Sequence, residues 1–449
     1  MKRSMKGLAT LLAVSMLGAT ALTGCGTPTS ATSEAGSSTA ASTNTSEAGA
    51  ASGPKTEMTA MFLGSSQDQA VVDIIQSMTD KFNADNPYNV EFKFETYENE
   101  QYKTKLTTVM ASNSAPDVFF TWSSGYLQPF VEGGKVYEIG QLLDKDEEWK
   151  ARFNDSVFGP VSYDGKIYAV PHGQTVGVMF YNTRLFKENN IEVPKTYEDL
   201  KAACETLKAA GITPISVPCQ DAWIPGQFFQ QLANGVGGMN LYNGMLDSSR
   251  LWNDADYVTA GNELRELTQL GAFPDGYLGM TNDEGRDLFA QEKAAMYYMG
   301  SWDIGMLNDE SVPVSKNIGV FNIPGKDGNV AIGDVDQCLA ISANCKNVDA
   351  AAAYIKLFSG TEAQEAYAYN ADYLLATNTP LDESKLSPLY VEVSELQKTF
   401  TGVTPWLDRV FGAGEGVEFN NAAQAIIADK DAQQRLDELQ QFAVDNAQH

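Results

Sequence analysis

The alternation of elements between Met58 and Phe120 constrains the fold more than any other feature of this chain. Met58–Gly64 is a strand-like apolar run, after which Val71, Ile74, Ile75, Met78 and Phe82 recur on one helical face until Asn86-Pro87 ends it. Val90, Phe92 and Phe94 alternate along a strand from Asn89 to Glu95. A helix through Leu106 and Val109 and a short strand, Asp117–Phe120, follow. A strand–helix–strand–helix–strand order calls for a parallel sheet with helices on its faces.

A second α/β set comes later. Val161–Val170 reads as a hairpin turning at Asp164-Gly165, and Val176–Tyr181 as a strand. Thr196 is placed to cap a helix with Leu200, Ala203 and Leu207 inside and Gly211 closing it. Ile215–Val217 is strand-like, and helical spacing covers Gln227–Ala233, Asp254–Leu270 and Asn282–Ala290. A strand over Ala294–Met299 breaks at Gly300, with Trp302 just beyond. Further on lie a strand at Val335–Ser342, a helix at Val348–Phe358 and a capping-box pattern, Thr361 to Gln364. A charged amphipathic helix, Ala432–Ala443, ends the chain.

The composition removes several functions. The net charge is −27, and without residues 1–24, which hold Lys2, Arg3 and Lys6, it becomes −30. Such a surface repels nucleic acid and anionic headgroups. With His172 and His449 the only histidines, a multi-histidine metal site is excluded and a Ser-His-Asp triad would rest on His172 alone. No cysteine pair has CxxC spacing, so Cys204, Cys219, Cys338 and Cys345 read as buried thiols, with Cys204–Cys219 or Cys338–Cys345 bridges left open. Gly412–Gly416 lacks the spacing of a phosphate loop, Asp144–Glu148 lacks the glycine of a calcium loop, and 58 acidic residues are too many to single out a glycosidase pair.

Residues 1–24 have a basic start and an apolar run from Leu8 to Leu22, the form of a secretory signal. They end in Leu22-Thr23-Gly24-Cys25, which resembles the lipobox of bacterial lipoproteins. The resemblance implies cleavage before Cys25 and a lipid on its thiol. Gly26–Pro54 is built of small polar residues and reads, within 25–55, as a flexible tether.

From Met58 to about Gln440 the chain resembles the extracellular solute-binding proteins of ABC importers, specifically the carbohydrate-binding group that includes maltose-binding protein. The resemblance is carried by FNADNP (Phe82–Pro87), APDVFF (Ala115–Phe120) followed by Trp122, DGKIYAVP (Asp164–Pro171), MFYNTRLF (Met179–Phe186), VPKTYEDL and FAQEKAAMYYMGSW. Gln291-Glu292-Lys293 stands where the family pattern has a glycine before its basic residue. The fold implied is α/β, periplasmic-binding-protein-like, with two lobes and a multi-strand hinge near Ala169–Val176, Ala331–Asp336 and Leu374–Pro380. One lobe would span 56–171 plus 335–375, the other 172–334 plus 376–449.

The function implied is capture of a sugar, an oligosaccharide of two or more rings, and its delivery to the transmembrane subunits of an ABC permease. The protein would be a monomer with neither enzymatic activity, cofactor nor metal. It would be lipid-anchored on the outer face of the cytoplasmic membrane, which is the periplasmic side where an outer membrane exists. A receptor of the same fold for another solute, such as a polyamine or peptide, and a secreted lipoprotein glycosidase are the alternatives. A neutral sugar needs aromatic faces for its C–H surfaces and fixed polar groups for its hydroxyls. Trp302, Trp122 and Trp223, each near a strand end, are the expected platforms, with Trp406 a further candidate; Trp149 and Trp252 read as packing or surface. Gln67, Tyr97 and Glu98 follow the first two strands, His172 and Gln174 lie in the first crossing, and Asp334 and Asp336 lie in the second. These are the expected polar partners, while Tyr369 and Tyr373 read as helix core first and as cleft lining second.

Overall fold

The structure is a computed structural model that describes residues 54–446, apart from 66–67, 324 and 326–327 and the side chain of Asp336. The signal segment, Cys25, most of the tether, Gln67 and His449 therefore lie outside the described residues.

Among the described residues twelve strands run in the order β1 (Thr56–Leu63), β2 (Val90–Tyr97), β3 (Val118–Trp122), β4 (Ser162–Tyr163), β5 (Lys166–Ile167), β6 (Ala169–Asn182), β7 (Thr213–Ser216), β8 (Ala294–Gly300), β9 (Ile318–Phe321), β10 (Val330–Ile341), β11 (Leu374–Leu375) and β12 (Gly402–Thr404). β1 pairs in parallel with β2 and β3, as the alternating pattern requires. Between them, the helix Gln69–Ala84 buries Val71, Ile74, Ile75, Met78 and Phe82. The β4–β5 hairpin turns at Asp164 and Gly165, φ 51° and 74°, the left-handed pair that a two-residue turn of this type demands.

Two strands serve two sheets at once. The first half of β6 and the second half of β10 pair with each other, Ala169 opposite Ala340 and Gly173 opposite Gln337. β10 also pairs with β3 there, Ile341 opposite Val118. Beyond Val176, β6 instead pairs with β8 and β9, and β8 runs parallel to β7. At its other end β10 pairs with β12 over Val330–Ile332. A register irregularity in β10 between Asp334 and Gln337 marks the changeover, and β11 lays Leu374 and Leu375 against Gln174 and Gly173.

The apolar residues separate into two cores accordingly. One, the first core, collects β1–β3, the start of β6, the end of β10 and the helix Val348–Phe358. The second core collects the rest of β6, β7, β8 and the helices Trp223–Leu246, Ala255–Leu270, Val417–Ile427 and Ala432–Asn446.

Several local expectations change. The helix expected over Gln227–Ala233 starts earlier, at Trp223, and runs on to Leu246 with a break at Gly238. The box at Thr361–Gln364 does not form. The helix Thr361–Asn370 is capped by Gly360 without a side-chain bond, because Gln364 is buried and donates to the Phe358 carbonyl at 2.8 Å while accepting from Thr377. The box that does form is Thr281 with Glu284, at the helix Asn282–Ala290. Cys204, Cys219, Cys338 and Cys345 are free and buried, and Trp149 and Trp252 are core residues.

At Gln291-Glu292-Lys293 the turn is made without glycine. Glu292 takes φ 57°, a left-handed backbone costly for a residue with a side chain. Its carboxylate is held by Arg184 at 2.7 Å, Asn182 at 3.1 Å and Asn317 at 3.0 Å.

Candidate functional site

A cleft opens where the two cores meet, with an empty volume of about 1100 Å³ including its mouth. Its walls come from the carboxyl ends of strands, where α/β sheets place ligands. On the first core these are Leu63 ending β1 and Gly64 after it, Tyr97 ending β2 and Glu98 after it, and Trp122 ending β3. On the second core they are Trp302 after β8 and Trp223 after β7.

Three indoles form one wall. Trp302 lies 5.6 Å from Trp406 and 6.1 Å from Trp223, ring centre to ring centre, tilted by 48° and 58°. Gly300 makes this arrangement fit, because a β-carbon there would collide with the Trp302 ring. Trp406 is fixed from behind. Its Nε1 donates to Thr175 Oγ1 at 3.1 Å, and Gln230 clamps the adjoining chain by donating to Pro405 O and accepting from Leu407 N, at 2.8 and 2.9 Å. The buried Nε1 of Trp223 has no acceptor among the described residues.

The cleft floor is charged. Tyr297 donates to Asp303 at 2.8 Å, and Arg286 lies 4.0 Å from Asp303 and 2.7 Å from Asp283. From the first core Asp68 faces this group and accepts from Tyr373 at 3.4 Å. Burial, with the Asp303 charge adding to it, pushes the Asp68 carboxyl up to about 6. Burial likewise raises Asp303, against the pull of Arg286 and Tyr297.

The remaining wall is cationic and aromatic. Trp122 is only 4% exposed, with the Arg409 guanidinium 4.7 Å and the Lys103 ammonium 5.6 Å from its ring centre. Burial lowers the Lys103 pKa, and Arg409 adds to the effect.

Of the residues expected from sequence, Trp302, Trp122, Trp223, Trp406, Tyr97 and Glu98 line the cleft. Glu98 is also the cap of the helix Asn99–Ala111. His172, Gln174 and Asp334 lie apart from it. His172 is buried between Phe120 and Tyr367, beside a smaller cavity behind the cleft. Gln174 sits in the β6–β11 pairing. Asp334 turns onto its neighbour's backbone, accepting from Val335 N at 2.7 Å. The alternation of side chains along a crossing strand sends only part of it toward the cleft. For Asp336 only the backbone, in β10, is described.

Sequence reasoning passed over Asp68, Arg286, Asp303 and Arg409, and set Tyr373 down as core. Two carried a usable signal: Asp303 directly follows Trp302, and Arg409 closes the Thr-Pro-Trp-Leu-Asp-Arg segment around Trp406.

Two α/β cores sharing crossing strands, with an aromatic cleft between them, define a binding protein of the periplasmic-binding-protein fold. The chain belongs to the bacterial extracellular solute-binding protein family, whose sequence pattern it matches over residues 68–365. This family supplies the binding components of ABC transporters and is non-enzymatic. Among proteins of known name the chain is similar to the multiple sugar-binding protein of Streptococcus mutans, 26% identical over 297 residues, which is 64% of this chain and 68% of that one. It is also similar to the diacetylchitobiose binding protein DasA of Streptomyces coelicolor, 27% identical over 305 residues, 66% and 67% of the two chains. A solved structure concerned with xylan utilization by Caldanaerobius polysaccharolyticus superposes with a TM-score of 0.81 at 29% identity, covering 86% of this chain and 99% of that one. A chitin oligosaccharide binding protein shares the fold, with a TM-score of 0.81 at 22% identity over 87% and 98% of the chains.

Proposed function

We propose that this protein captures an oligosaccharide outside the cell and delivers it to an ABC permease. The row of indoles from Trp223 through Trp302 to Trp406 carries the reading. Such faces cover the C–H surfaces of successive sugar rings. A micromolar affinity needs about −8 kcal/mol, which a few stacked rings and hydrogen bonds to Asp68, Asn282, Arg286 and Asn420, all of which line the cleft, supply. The named relatives that bind sugars support the same class of ligand. Sugar touching both cores would shift an open–closed equilibrium about β6, β10 and β11, and the closed form would engage the permease. The lipobox-like Leu22–Cys25 supports a lipid anchor on Cys25, with residues 26–55 as tether.

A thermal-shift screen with mono- and oligosaccharides, followed by calorimetry on each hit, tests the ligand class, since a ligand specific to the native state raises its melting temperature. If no sugar shifts it while a polyamine does, the acidic floor is the recognition element and the sugar reading fails. The anchor is tested by labelling cells with a radiolabelled fatty acid. Incorporation that survives Cys25→Ser would refute it.

A further inference from the structure

We infer that Trp122 is a closure clasp, receiving the Arg409 guanidinium from the opposite core instead of a sugar ring. The inference rests on the reading of the cleft as one that opens and closes.

Trp122 ends β3 and belongs to the first core, where it packs edge-to-face with Phe120, Tyr102 and Tyr126, ring centres 5.1, 5.9 and 4.9 Å away. With the Lys103 ammonium 5.6 Å from its centre and the Arg409 guanidinium closer still, its face is taken and not free for a pyranose. Arg409 stands 4.7 Å from its centre and 5.7 Å from that of Tyr126. Arg409 is carried by the short helix Leu407–Val410, whose Leu407 is buried in the second core. The cation therefore crosses from one core to an aromatic of the other. Lys103 makes the reverse crossing. It projects from the helix Asn99–Ala111, rooted in the first core by Tyr102 and Leu106, and lies 5.7 Å from Trp223, which packs on the second. Each core thus presents one cation to an indole of the other, and such pairs strengthen as they are desolvated.

Main chain meets main chain at the same place. A β-carbon on Gly125 would stand 2.6 Å from the carbonyl oxygens of both Arg409 and Val410, and one on Gly412 would stand 2.8 Å from that of Gly125. Backbone atoms cannot yield as a side-chain tip does. Ser124, next to Gly125, takes φ 58°, a strained conformation held by its surroundings. One of these is the Tyr163 hydroxyl, which donates to the Ser124 carbonyl at 2.5 Å.

The test compares Arg409→Ala, Arg409→Lys, Gly125→Ala and Gly414→Ala with the unaltered protein. Gly414 lies in the same turn as Gly412, with nothing near its would-be β-carbon, and serves as control. Small-angle scattering is recorded with and without the best sugar hit, with affinities from calorimetry. In whichever condition the unaltered protein is most compact, Arg409→Ala and Gly125→Ala should have larger radii of gyration and bind sugar about tenfold more weakly. Arg409→Lys and Gly414→Ala should stay close to the unaltered protein. Arg409→Ala with unchanged scattering and equal or tighter binding would overturn the clasp, making Trp122 a platform that Arg409 merely covers. If no sugar binds the unaltered protein yet the radii separate, the clasp holds and the sugar reading falls.

Discussion

The indole of Trp302 lies against Gly300, two residues earlier, so closely that no β-carbon fits between strand end and ring. Gly300→Ala should therefore push the ring out of line with Trp223 and Trp406. We expect Gly300→Ala to weaken sugar binding nearly as much as Trp302→Ala, each by about 2–3 kcal/mol in calorimetry. Full affinity in Trp302→Ala would remove the ring from the site.

Trp406 is held by one side-chain hydrogen bond, to Thr175. Trp406→Phe keeps an aromatic face and loses that bond. Unfolding stability should fall by about 1 kcal/mol, and affinity should fall less than in Trp302→Ala. An affinity loss exceeding that of Trp302→Ala would make Trp406 the principal platform.

Glu292 combines an unfavourable backbone with favourable side-chain bonds. Glu292→Ala discards the bonds and keeps the strain, whereas Glu292→Gly discards both. Chemical denaturation should show a cost of about 2 kcal/mol for alanine and about 1 kcal/mol for glycine. The reverse order would mean that the left-handed turn carries no strain.

His172 supplies a pH dependence. Burial holds its pKa down at about 4, below the ordinary 6.5, so the folded state binds fewer protons than the unfolded chain between these values. Its contribution is complete above pH 6.5 and is lost as pH falls toward 4, by about 2–3 kcal/mol. His172→Phe should accordingly gain in melting temperature relative to the unaltered protein when both are moved from pH 7 to 4.5. A difference constant across that range would show that His172 titrates normally. Asp68, raised to about 6, acts oppositely and is present in both proteins, so it cancels in the comparison.

The four cysteines of the folded body make no bridge. A reductant should leave the melting temperature unchanged, and a fall of several degrees would contradict the structure.

How far the sequence could be read depended on whether a feature was local. The helix after β1, the Asp164-Gly165 turn and the Thr196 cap are written in neighbouring residues, and the structure has them where the sequence indicates. Trp302 and Trp223 of the indole wall were legible because each lies close to a strand end, whereas Trp406 stood only as a further candidate. The charged floor was not, since Asp68, Arg286 and Asp303 come from separate elements and only folding brings them together. Asp334 shows the complementary failure. Its position in a crossing strand was evident, but which way its side chain turns depends on a register irregularity that the sequence does not announce. Trp122 was found correctly at a strand end, while its partner Arg409 lies far along the chain, so its surroundings could not be foreseen.

The strand β10 has a consequence for the order in which the molecule can assemble. Val118 of β3 pairs with Ile341, more than two hundred residues further on, so the amino-terminal sheet lacks a central strand until most of the chain has been made. Contacts so distant in sequence make for slow folding. A chain growing from its amino end would present β1, β2 and β3 early and wait for β10 to complete their sheet.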